Sequence, residues 1–566
     1  MKQFVTGAIG ALIGAAAISG GTTPALAAEK MTCEALAGAT FNIAGLTIQS
    51  SKISAAGDAI GKSDKSPVNH CVVLGKIGAH KGVDGQDYAI SFELRLPDGW
   101  NGDFVHQFNG GNDGFVVPAL GQVMGGDRSK TALGMGFAVV SSDSGHDALA
   151  VKDAGLAGGA RFGFDPQARR DYGYTAIETL NPAALKIVET YYGKPVRFKY
   201  GMGGSNGGRH ALVEAARSPG AFNGLLVGYP GYHLPKAAIQ HAWDVQAMKP
   251  VTGDIRTAFP PAAMTVLQKG ILASCDALDG LVDGVVADSV ACQKAFDVTK
   301  LECKAGSSDG CLSAAQIKAL TTMEKSPRDS AGKSLYSAWI WDTGMAATNW
   351  SRWRLEGPKG ADGTVAMPFI VTLGAPSLAQ IFMTPPVKIG GTPEELENFL
   401  LNFNFDTDAP KIFAKTAEFP ESSYDFMVPP GADNPDLAAF RDAGGKMIVF
   451  HGNGDPVFSV VDTIDWYQKL DANNGGKARN FARFYQVPGM PHGAGGPSTD
   501  DFDMFTALVN WVEKGKAPEA IVAGVTADNK EGQDALGDIK RKLCPYPQVA
   551  RYVGSDPKSA DSFVCQ

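Results

Sequence analysis

The sequence predicts an α/β fold, in which a mostly parallel sheet carries helices on both faces and is interrupted by a large inserted lid domain. Strand-like and helix-like runs alternate from Cys71 to about Pro230, and the alternation resumes at "GGKMIVFHGNGD". Such alternation is typical of a parallel sheet, because each crossover between parallel strands needs room for a helix. Residues 233–432 break this rhythm and are rich in Pro, Gly, Trp and Cys. We therefore expect one sheet domain that carries this segment as an insertion.

Before the insertion, the predicted elements follow one another in a regular order. Apolar runs that end in loops predict strands at "YAISFELRLP", "DFVHQFNGG" and "MGFAVVSSDSGHD". A helix follows at "ARRDYGYTAIETLNPAALKIVETYYG", and Pro182 must start, kink or interrupt it because proline has no backbone N–H. The next elements are a strand at "VRFKYGMGGS", a helix at "NGGRHALVEAARSP" and a strand at "FNGLLVGYPG".

The insertion contains only short helical runs such as "LSAAQIKALTTMEK". After it, strands are predicted at "GGKMIVFHGNGD" and "FARFYQVPGMPH", and helices at "TIDWYQKL" and "DDFDMFTALVNWVEKG". The predicted organisation is a signal peptide (1–27), a first core part (28–232), the lid insertion (233–432) and a second core part (433–566).

The N-terminus has the pattern of a signal peptide. Lys2 precedes the apolar run "FVTGAIGALIGAAAIS", and Ala25-Leu26-Ala27 supplies a cleavage site of the small-x-small type. A transmembrane anchor is the alternative, but the run is short and glycine-rich and polar "GGTTP" follows it. We expect a protein that is secreted or periplasmic and has no membrane contact after cleavage.

Net charge and cysteine content indicate the kind of partner and the cellular compartment of the protein. The chain has 566 residues and a net charge of −8, which argues against nucleic acid as a partner. Eight cysteines without a C-x-x-C pair fit an oxidising compartment rather than a zinc ribbon or a thioredoxin-like site. Many pairings are open; chain order favours nearest neighbours, and a mixture of free and paired thiols is the alternative. The favoured pairs are Cys33–Cys71, Cys275–Cys292, Cys303–Cys311 and Cys544–Cys565. Oligomeric state is not predicted.

One glycine-rich stretch, "KYGMGGSNGGRHAL", carries the strongest chemical signal. A dinucleotide fingerprint needs glycine where Asn206 stands, and a P-loop needs Gly-Lys-Ser/Thr where Gly208 is followed by Arg209. The pattern around Ser205 does satisfy G-x-S-x-G, the strained strand-to-helix turn that exposes a nucleophile. A chance match or a flexible connection is the alternative in a chain with 69 glycines.

A serine nucleophile needs a base, and the base needs an acid that fixes its tautomer. His492 lies in "QVPGMPHGAGG" just after a predicted strand, and Asp455 lies in "FHGNGDPVF" at the end of another. The order Ser205, Asp455, His492 is that of α/β-hydrolases. An Asp-Pro turn is also common for structural reasons, and His451 can be a packed or site-lining residue.

Acyl transfer also needs hydrogen-bond donors for the oxyanion. The backbone N–H of Asn206 is one predicted donor, and "FNGGNDG" is the predicted source of the other. In that loop, Gly110 and Gly111 would let the backbone approach the substrate closely, although an ordinary glycine turn is the alternative.

A second motif, "CDALDGLVDGVVAD", places three carboxylates within eight residues. Asp276, Asp279 and Asp283 would repel one another unless a hard cation shared their oxygens. The spacing is not that of an EF-hand, and a solvated acidic loop is the alternative.

These motifs resemble the tannase and feruloyl esterase family of secreted α/β-hydrolases, most closely the branch that hydrolyses mono(2-hydroxyethyl) terephthalate. Further similar stretches, which extend the likeness over nearly the whole chain after Cys33, are "GFDPQARRDYGY", "GYPGYHLPKA", "VPGMPH", "FDMFTALVNWVEKG" and "LCPYPQVARY". The resemblance implies a catalytic triad of Ser205, Asp455 and His492, and an oxyanion hole formed by Gly111 and Asn206. The family's disulfides match the nearest-neighbour pairs above.

The resemblance also implies one metal ion and no organic cofactor. A structural Ca²⁺ in the lid would be held by the side chains of Asp276, Asp279 and Asp283 and by the carbonyls of Leu281 and Val285.

The sequence departs from the family at two places. Family members usually have cysteines directly before the nucleophile and directly after the catalytic histidine, joined as a disulfide, whereas this chain has Gly204 and Gly493. Because both halves are absent together, we expect an active site held by packing and hydrogen bonds, with a looser geometry or lower stability.

The other departure concerns substrate recognition. The lid arginine that pairs with a terephthalate carboxylate falls near Phe369, which leaves tight specificity for such monoesters in doubt. Trp353 and Phe458, together with the backbone of Gly110, are the predicted substrate contacts, and Arg352 or Arg354 could supply a charge from elsewhere in the lid.

The sequence thus predicts a secreted serine carboxylesterase acting on esters of small aromatic acids of the feruloyl, galloyl or terephthaloyl monoester type. An amidase or peptidase with the same triad is the alternative among enzymes. A non-catalytic exported binding protein of the same fold is the alternative outside them.

Overall fold

A computed structural model describes residues 1, 30–61, 64–126, 129–307, 309–360 and 363–566. The predicted signal peptide lies outside the described residues, apart from Met1. None of the helices in these ranges combines the length and the apolar character needed to cross a membrane.

Strands and helices alternate along both ends of the chain, and helices without strands fill its middle. The described strands are β1 (Thr47–Ser54), β2 (Ala59–Ile60), β3 (Asp64–Lys65), β4 (His70–Lys81), β5 (Asp87–Pro97), β6 (Phe104–Gln107), β7 (Ala138–Ser142), β8 (Lys199–Gly204), β9 (Gly224–Gly228), β10 (Lys446–Gly452), β11 (Ala482–Val487), β12 (Ile521–Ala523), β13 (Arg541–Leu543), β14 (Ala550–Tyr552) and β15 (Phe563–Cys565). The described α-helices are α1 (Pro166–Arg170), α2 (Ala176–Tyr192), α3 (Asn206–Arg217), α4 (Leu234–Thr252), α5 (Pro261–Cys275), α6 (Ser289–Ala295), α7 (Ala314–Glu324), α8 (Thr348–Arg354), α9 (Phe369–Thr372), α10 (Gly374–Pro376), α11 (Pro393–Leu401), α12 (Ser423–Met427), α13 (Ala438–Asp442), α14 (Val460–Asn473), α15 (Met504–Lys514) and α16 (Lys530–Leu536).

A nine-stranded sheet forms the centre of the fold, in the order β1-β4-β5-β7-β6-β8-β9-β10-β11. The six strands from β7 to β11 in this order run parallel, while β1, β4 and β5 form an antiparallel edge. Alternating side chains of β9 enter two different clusters: Leu225 and Val227 pack with the insertion, and Leu226 packs with Trp511 of α15. The sheet is thus covered on both faces, and the predicted α/β class is confirmed.

The insertion leaves the sheet after β9 and returns at β10. Its buried side chains, such as Met345 and Trp350, belong to the same hydrophobic cluster as Val227 and Val449 of the sheet. Since one cluster spans both parts, the insertion is fixed against the carboxyl ends of the central strands by a shared core.

The helix predicted around Pro182 is built in three pieces. A short α1 continues into a π-helical turn at Asp171–Thr175, and α2 then runs through Pro182 to Tyr192. Pro182 therefore neither starts nor ends the helix. Such π turns are rare and often lie at functional sites, and this one accepts a hydrogen bond from Arg209 of α3, the helix that follows Ser205, at the carbonyl oxygen of Gly173.

All eight cysteines are described, and they form the four predicted nearest-neighbour disulfides. The bridges are Cys33–Cys71, Cys275–Cys292, Cys303–Cys311 and Cys544–Cys565. Two of them lie in the insertion, and one of these joins Cys275 at the end of α5 to Cys292 in α6.

Candidate active site

Ser205 occupies the sharp turn between β8 and α3. Its backbone has φ 62° and ψ −126°, a conformation that is strained for any residue with a side chain. A Cβ at Gly203 would lie 2.7 Å from the carbonyl oxygen of Phe108, and a Cβ at Gly207 would lie 2.5 Å from the same oxygen. The two glycines of G-x-S-x-G are therefore required by close backbone approach, as the motif predicts.

Ser205, His492 and Asp455 form one hydrogen-bonded chain. The Oγ of Ser205 lies 2.9 Å from Nε2 of His492, and Nδ1 of His492 lies 2.8 Å from Oδ2 of Asp455. The three residues follow β8, β11 and β10, whose carboxyl ends meet at one edge of the sheet. This is the geometry in which a base removes a serine proton while an acid fixes the tautomer of the base.

The carboxylate of Asp455 is fully buried and well supplied with donors. Its Oδ1 accepts hydrogen bonds from the backbone N–H groups of Val457 and Phe458 at 2.7 and 3.0 Å. Burial would raise the pKa of this carboxyl, but the charges and hydrogen bonds of His492 and His451 outweigh burial and hold the pKa well below its ordinary value. Asp455 is therefore ionised throughout the neutral range.

His451 is part of this arrangement rather than a remote core residue. Its Nε2 lies 3.3 Å from Oδ2 of Asp455 and 3.0 Å from the carbonyl oxygen of Phe458, while Nδ1 lies 2.9 Å from Oγ1 of Thr463. The side chain has no exposed surface. Its position at the end of β10, four residues before Asp455, was a usable sequence signal.

The loop predicted to donate to an oxyanion lies beside the nucleophile. Gly110 approaches the elbow so closely that an added Cβ would be 3.4 Å from the carbonyl oxygen of Gly204 and 3.7 Å from Cβ of Ser205. Gly111 has φ 65°, and its carbonyl oxygen accepts a hydrogen bond from the hydroxyl of Tyr172 at 3.1 Å. Both glycines and the start of α3 at Asn206 face cavities next to Ser205.

A buried polar network that was not predicted from the sequence connects this loop to α3. Oδ2 of Asp113 lies 3.1 Å from Nδ2 of Asn206 and 3.0 Å from Nε2 of His210. Arg209 donates to Oδ1 of Asn206 and to the carbonyl oxygen of Tyr172. Burial raises the pKa of Asp113 to about 7, and burial together with the charge of Arg209 lowers the pKa of His210. The motif "NGGRHAL" hinted at this network, because it places charge on a helix that packs against the sheet.

A cavity of about 600 Å³ opens at Ser205, a volume typical of small-molecule sites. The indole of Trp353 and the ring of Phe458 stand edge-on to the imidazole of His492, with centroids 5.2 and 5.7 Å away. Phe369 lines the cavity and packs on Trp353 at 5.0 Å. The predicted aromatic contacts are thus at the site, and the position assigned to a lid arginine holds a ring.

Neither arginine proposed as a substitute reaches this cavity. The guanidinium of Arg354 is buried, donates to the carbonyl oxygen of Pro456, and lies 3.4 Å from Asp244. Arg352 is exposed. Among the described residues that line the cavity there is no lysine or arginine, and Asp64 adds a negative charge.

The acidic loop of the insertion brings its three carboxylates close enough to affect one another. Burial, followed by the charges of Asp283 and Asp276, raises the pKa of Asp279 to about 7. Asp276 accepts backbone N–H bonds from Asp283 and Gly284, and Asp283 forms an ion pair with Arg541. The chemistry of these donors fits a hard cation, yet no group of three or more His, Cys, Asp or Glu side chains in the described ranges is arranged around a metal position.

Comparison with known proteins agrees with the fold and identifies the family. The sequence model of the family described as "Tannase and feruloyl esterase" matches residues 71–566. The chain is 38% identical over 521 residues to the mono(2-hydroxyethyl) terephthalate hydrolase of Piscinibacter sakaiensis, covering 88% of this chain and 84% of that protein. It is 30% identical over 507 residues to a probable feruloyl esterase of Arthroderma benhamiae, covering 86% of this chain and 84% of the relative.

Two solved structures share the fold. Feruloyl esterase B from Aspergillus oryzae superposes with a TM-score of 0.72 at 21% identity, covering 94% of this chain and 100% of that one. Tannin acyl hydrolase from Aspergillus niger gives a TM-score of 0.66 at 20% identity, covering 96% of each chain. The family match over most of the sequence confirms the resemblance drawn from the motifs. The chain belongs to the tannase and feruloyl esterase family, and it is a carboxylic ester hydrolase.

Proposed function

We propose that the protein hydrolyses esters of small aromatic acids through an acyl-enzyme on Ser205. The observation that carries this proposal is the continuous hydrogen-bond chain from Asp455 through His492 to Ser205 at the floor of an aromatic-lined cavity. The names of the relatives, a terephthalate monoester hydrolase and a probable feruloyl esterase, support the same substrate class.

In the proposed mechanism, Oγ of Ser205 attacks the ester carbonyl carbon while Nε2 of His492 takes the hydroxyl proton. The negative oxygen of the tetrahedral intermediate faces the backbone N–H groups of Asn206 and Gly111. Collapse of the intermediate breaks the bond to the alcohol, and His492 returns the proton to that alcohol. A water molecule, deprotonated by His492, then attacks the acyl-enzyme and releases the acid. Asp455 keeps Nδ1 of His492 protonated and stabilises the imidazolium.

The cavity favours esters without a free carboxylate. A carboxylate that leaves water needs a cationic or hydrogen-bonding partner. The described lining residues include no lysine or arginine, and Asp64 adds a negative charge. The neutral amides of Gln107, Asn109 and Gln122 can donate hydrogen bonds but supply no positive charge. Phe369 and Trp353 offer apolar surface. We therefore propose neutral feruloyl, galloyl or terephthaloyl esters as preferred substrates over anionic terephthalate monoesters.

The nucleophile assignment is tested with Ser205→Ala and a matched control, Ser218→Ala, at the far end of α3. Removal of a serine nucleophile costs about 10⁶-fold in kcat. We expect Ser205→Ala to lose hydrolysis of methyl ferulate and labelling by a fluorophosphonate, while Ser218→Ala keeps both. Turnover by a folded Ser205→Ala variant would refute the mechanism.

A paired ester and amide assay, together with the fluorophosphonate labelling, separates the alternatives. An amidase or peptidase would cleave the amide of an aromatic acid at a rate comparable to the matched ester. A non-catalytic binding protein would bind the ester without turnover and would resist the fluorophosphonate.

We also propose export to the periplasm or the medium. The four disulfides support an oxidising compartment.

We further propose a structural Ca²⁺ at the loop of Asp276, Asp279 and Asp283, with the carbonyls of Leu281 and Val285 as further ligands. The three crowded carboxylates support a cation, since a divalent ion would offset their mutual repulsion. Binding would raise the melting temperature in Ca²⁺ over that in excess chelator. Equal melting temperatures would contradict the calcium proposal.

A further inference from the structure

We infer that Tyr229 is a positioning residue, whose ring is held by two glycines and keeps His492 aligned with Ser205. This inference rests on the proposed function, because it assigns Tyr229 a role that acts through the proposed base. Tyr229 directly follows β9, so it lies at the same sheet edge as the serine. Its ring lines both the cavity at Ser205 and a neighbouring cavity of about 420 Å³.

The first observation is that the two glycines flanking the reacting residues make room for one ring. A Cβ added to Gly204 would lie 2.3 Å from the phenol oxygen of Tyr229 and 2.4 Å from Cζ. A Cβ added to Gly493 would lie 2.8 Å from the same two atoms. The phenol edge therefore touches the residue before the serine and the residue after the histidine at once.

The second observation is that the ring is fixed from behind and meets the imidazole in front. It stands edge-on to His492, with centroids 4.8 Å apart and planes at 73°, and edge-on to Phe450 at 5.7 Å. The backbone N–H of Tyr229 donates to the carbonyl oxygen of Phe450 at 2.6 Å. Strand β10 thus anchors the ring, and the ring limits how far the imidazole can turn.

The third observation is that the ring and the imidazole lie together between two cavities. The main chain of the histidine loop is held in place, since Nδ2 of Asn349 donates to the carbonyl oxygen of His492 at 3.1 Å. Tyr229 and His492 belong to the lining of both cavities, together with Gln122 and Met124. Loss of the ring would widen the opening between the cavities and give the imidazole space to rotate away from Ser205.

Tyr229→Ala tests this role, with Tyr552→Ala as a matched control for the loss of a partly buried ring near the C-terminus. A displacement of about 1 Å in a catalytic group costs about 100-fold in rate. We expect Tyr229→Ala to lower kcat by about 10- to 100-fold with a smaller change in KM, and to slow fluorophosphonate labelling in parallel. Tyr229→Phe, which keeps the ring, should recover most of the loss.

A double-mutant cycle with Gly204→Ala isolates the contact from general loss of stability. Gly204 has no positive φ, so alanine there introduces a clash with the phenol and no backbone strain. We expect Gly204→Ala to impair the wild-type background strongly and to add little to Tyr229→Ala, which has already lost the ring. If Tyr229→Ala fails to fold, kcat and the labelling rate of Gly204→Ala and Tyr229→Phe are compared with those of the wild type. A strong loss in Gly204→Ala with near-wild-type rates in Tyr229→Phe supports the role of the ring, and wild-type rates in Gly204→Ala overturn it.

The proposal is overturned if folded Tyr229→Ala keeps the kcat and labelling rate of the wild type, or if the two substitutions are additive. These outcomes differ from failure of the proposed function, in which the wild-type protein itself would neither turn over an ester nor react with the fluorophosphonate.

Discussion

Nε2 of His451 lies 3.3 Å from Oδ2 of Asp455, the oxygen that also accepts the hydrogen bond from Nδ1 of His492. One buried carboxylate oxygen therefore serves two histidines. His451 is itself held by Thr463 and by the carbonyl oxygen of Phe458, so it fixes the orientation of the acid. The site thus has two positioning residues, His451 behind the acid and Tyr229 beside the base.

Asp455→Asn should fold but lose about 10⁴-fold in kcat, because the amide stabilises the wrong tautomer of His492.

His451→Ala removes one hydrogen bond to the charged carboxylate of Asp455, a contact of about 1.5–3 kcal/mol. We expect a smaller fall in kcat of about 10- to 100-fold. Steady-state kinetics on a neutral aryl ester, with melting curves for both variants, checks the ranking. Wild-type kcat in His451→Ala would show that His451 only fills space.

An arginine introduced at position 369 should shift the substrate preference of the cavity toward anionic esters. Phe369→Arg places a guanidinium beside Trp353, where a carboxylate of the substrate could pair with it. We expect the ratio of kcat/KM for mono- over bis(2-hydroxyethyl) terephthalate to rise by about tenfold, which corresponds to about 1.4 kcal/mol. Phe369→Leu is the matched control, since it removes the ring without adding charge. An equal rise in both variants would mean that steric access, not charge, sets the preference.

Stability should fall with rising pH because of Glu324, which is buried in the insertion near Arg354 and Asp244. Burial raises the pKa of Glu324 from 4.5 to about 8, although the charge of Arg354 opposes the rise. The folded state therefore holds this proton more tightly than the unfolded state. The stability that the protonated group provides is complete below pH 4.5 and is lost as the pH rises toward 8, by up to about 1.4 kcal/mol per pH unit.

Glu324→Gln removes this titration, so its melting temperature relative to wild type should increase from pH 5 to pH 9. Glu302→Gln changes an exposed glutamate elsewhere in the insertion and serves as the control. A constant difference between Glu324→Gln and wild type across this range would contradict the assignment.

The elements that hold Ser205, Asp455 and His492 could be predicted because each residue ends a strand whose apolar pattern is local. Parallel strands bring their carboxyl ends together, so chain order alone placed these three residues at one edge. Tyr229 follows β9 at that same edge, but its contact with Gly204 and Gly493 depends on how three loops pack against one another. Hydrophobic periodicity in the sequence does not predict the packing of loops. The network around Asp113 was not predicted for the same reason, because it joins a loop to Asn206 and His210 of α3, which lie far away in the chain. Pro182 shows the limit of a local rule, because helix α2 continues through it from Ala176 to Tyr192.

Trapping the acyl-enzyme tests directly whether Ser205 is the nucleophile. Wild-type protein is mixed with a feruloyl ester, quenched in acid within the first turnovers, digested and examined by mass spectrometry, with Ser205→Ala treated in parallel. We expect a feruloyl adduct on the peptide that contains Ser205, and no adduct in Ser205→Ala. An adduct on another residue, or ester turnover in Ser205→Ala, would contradict this assignment.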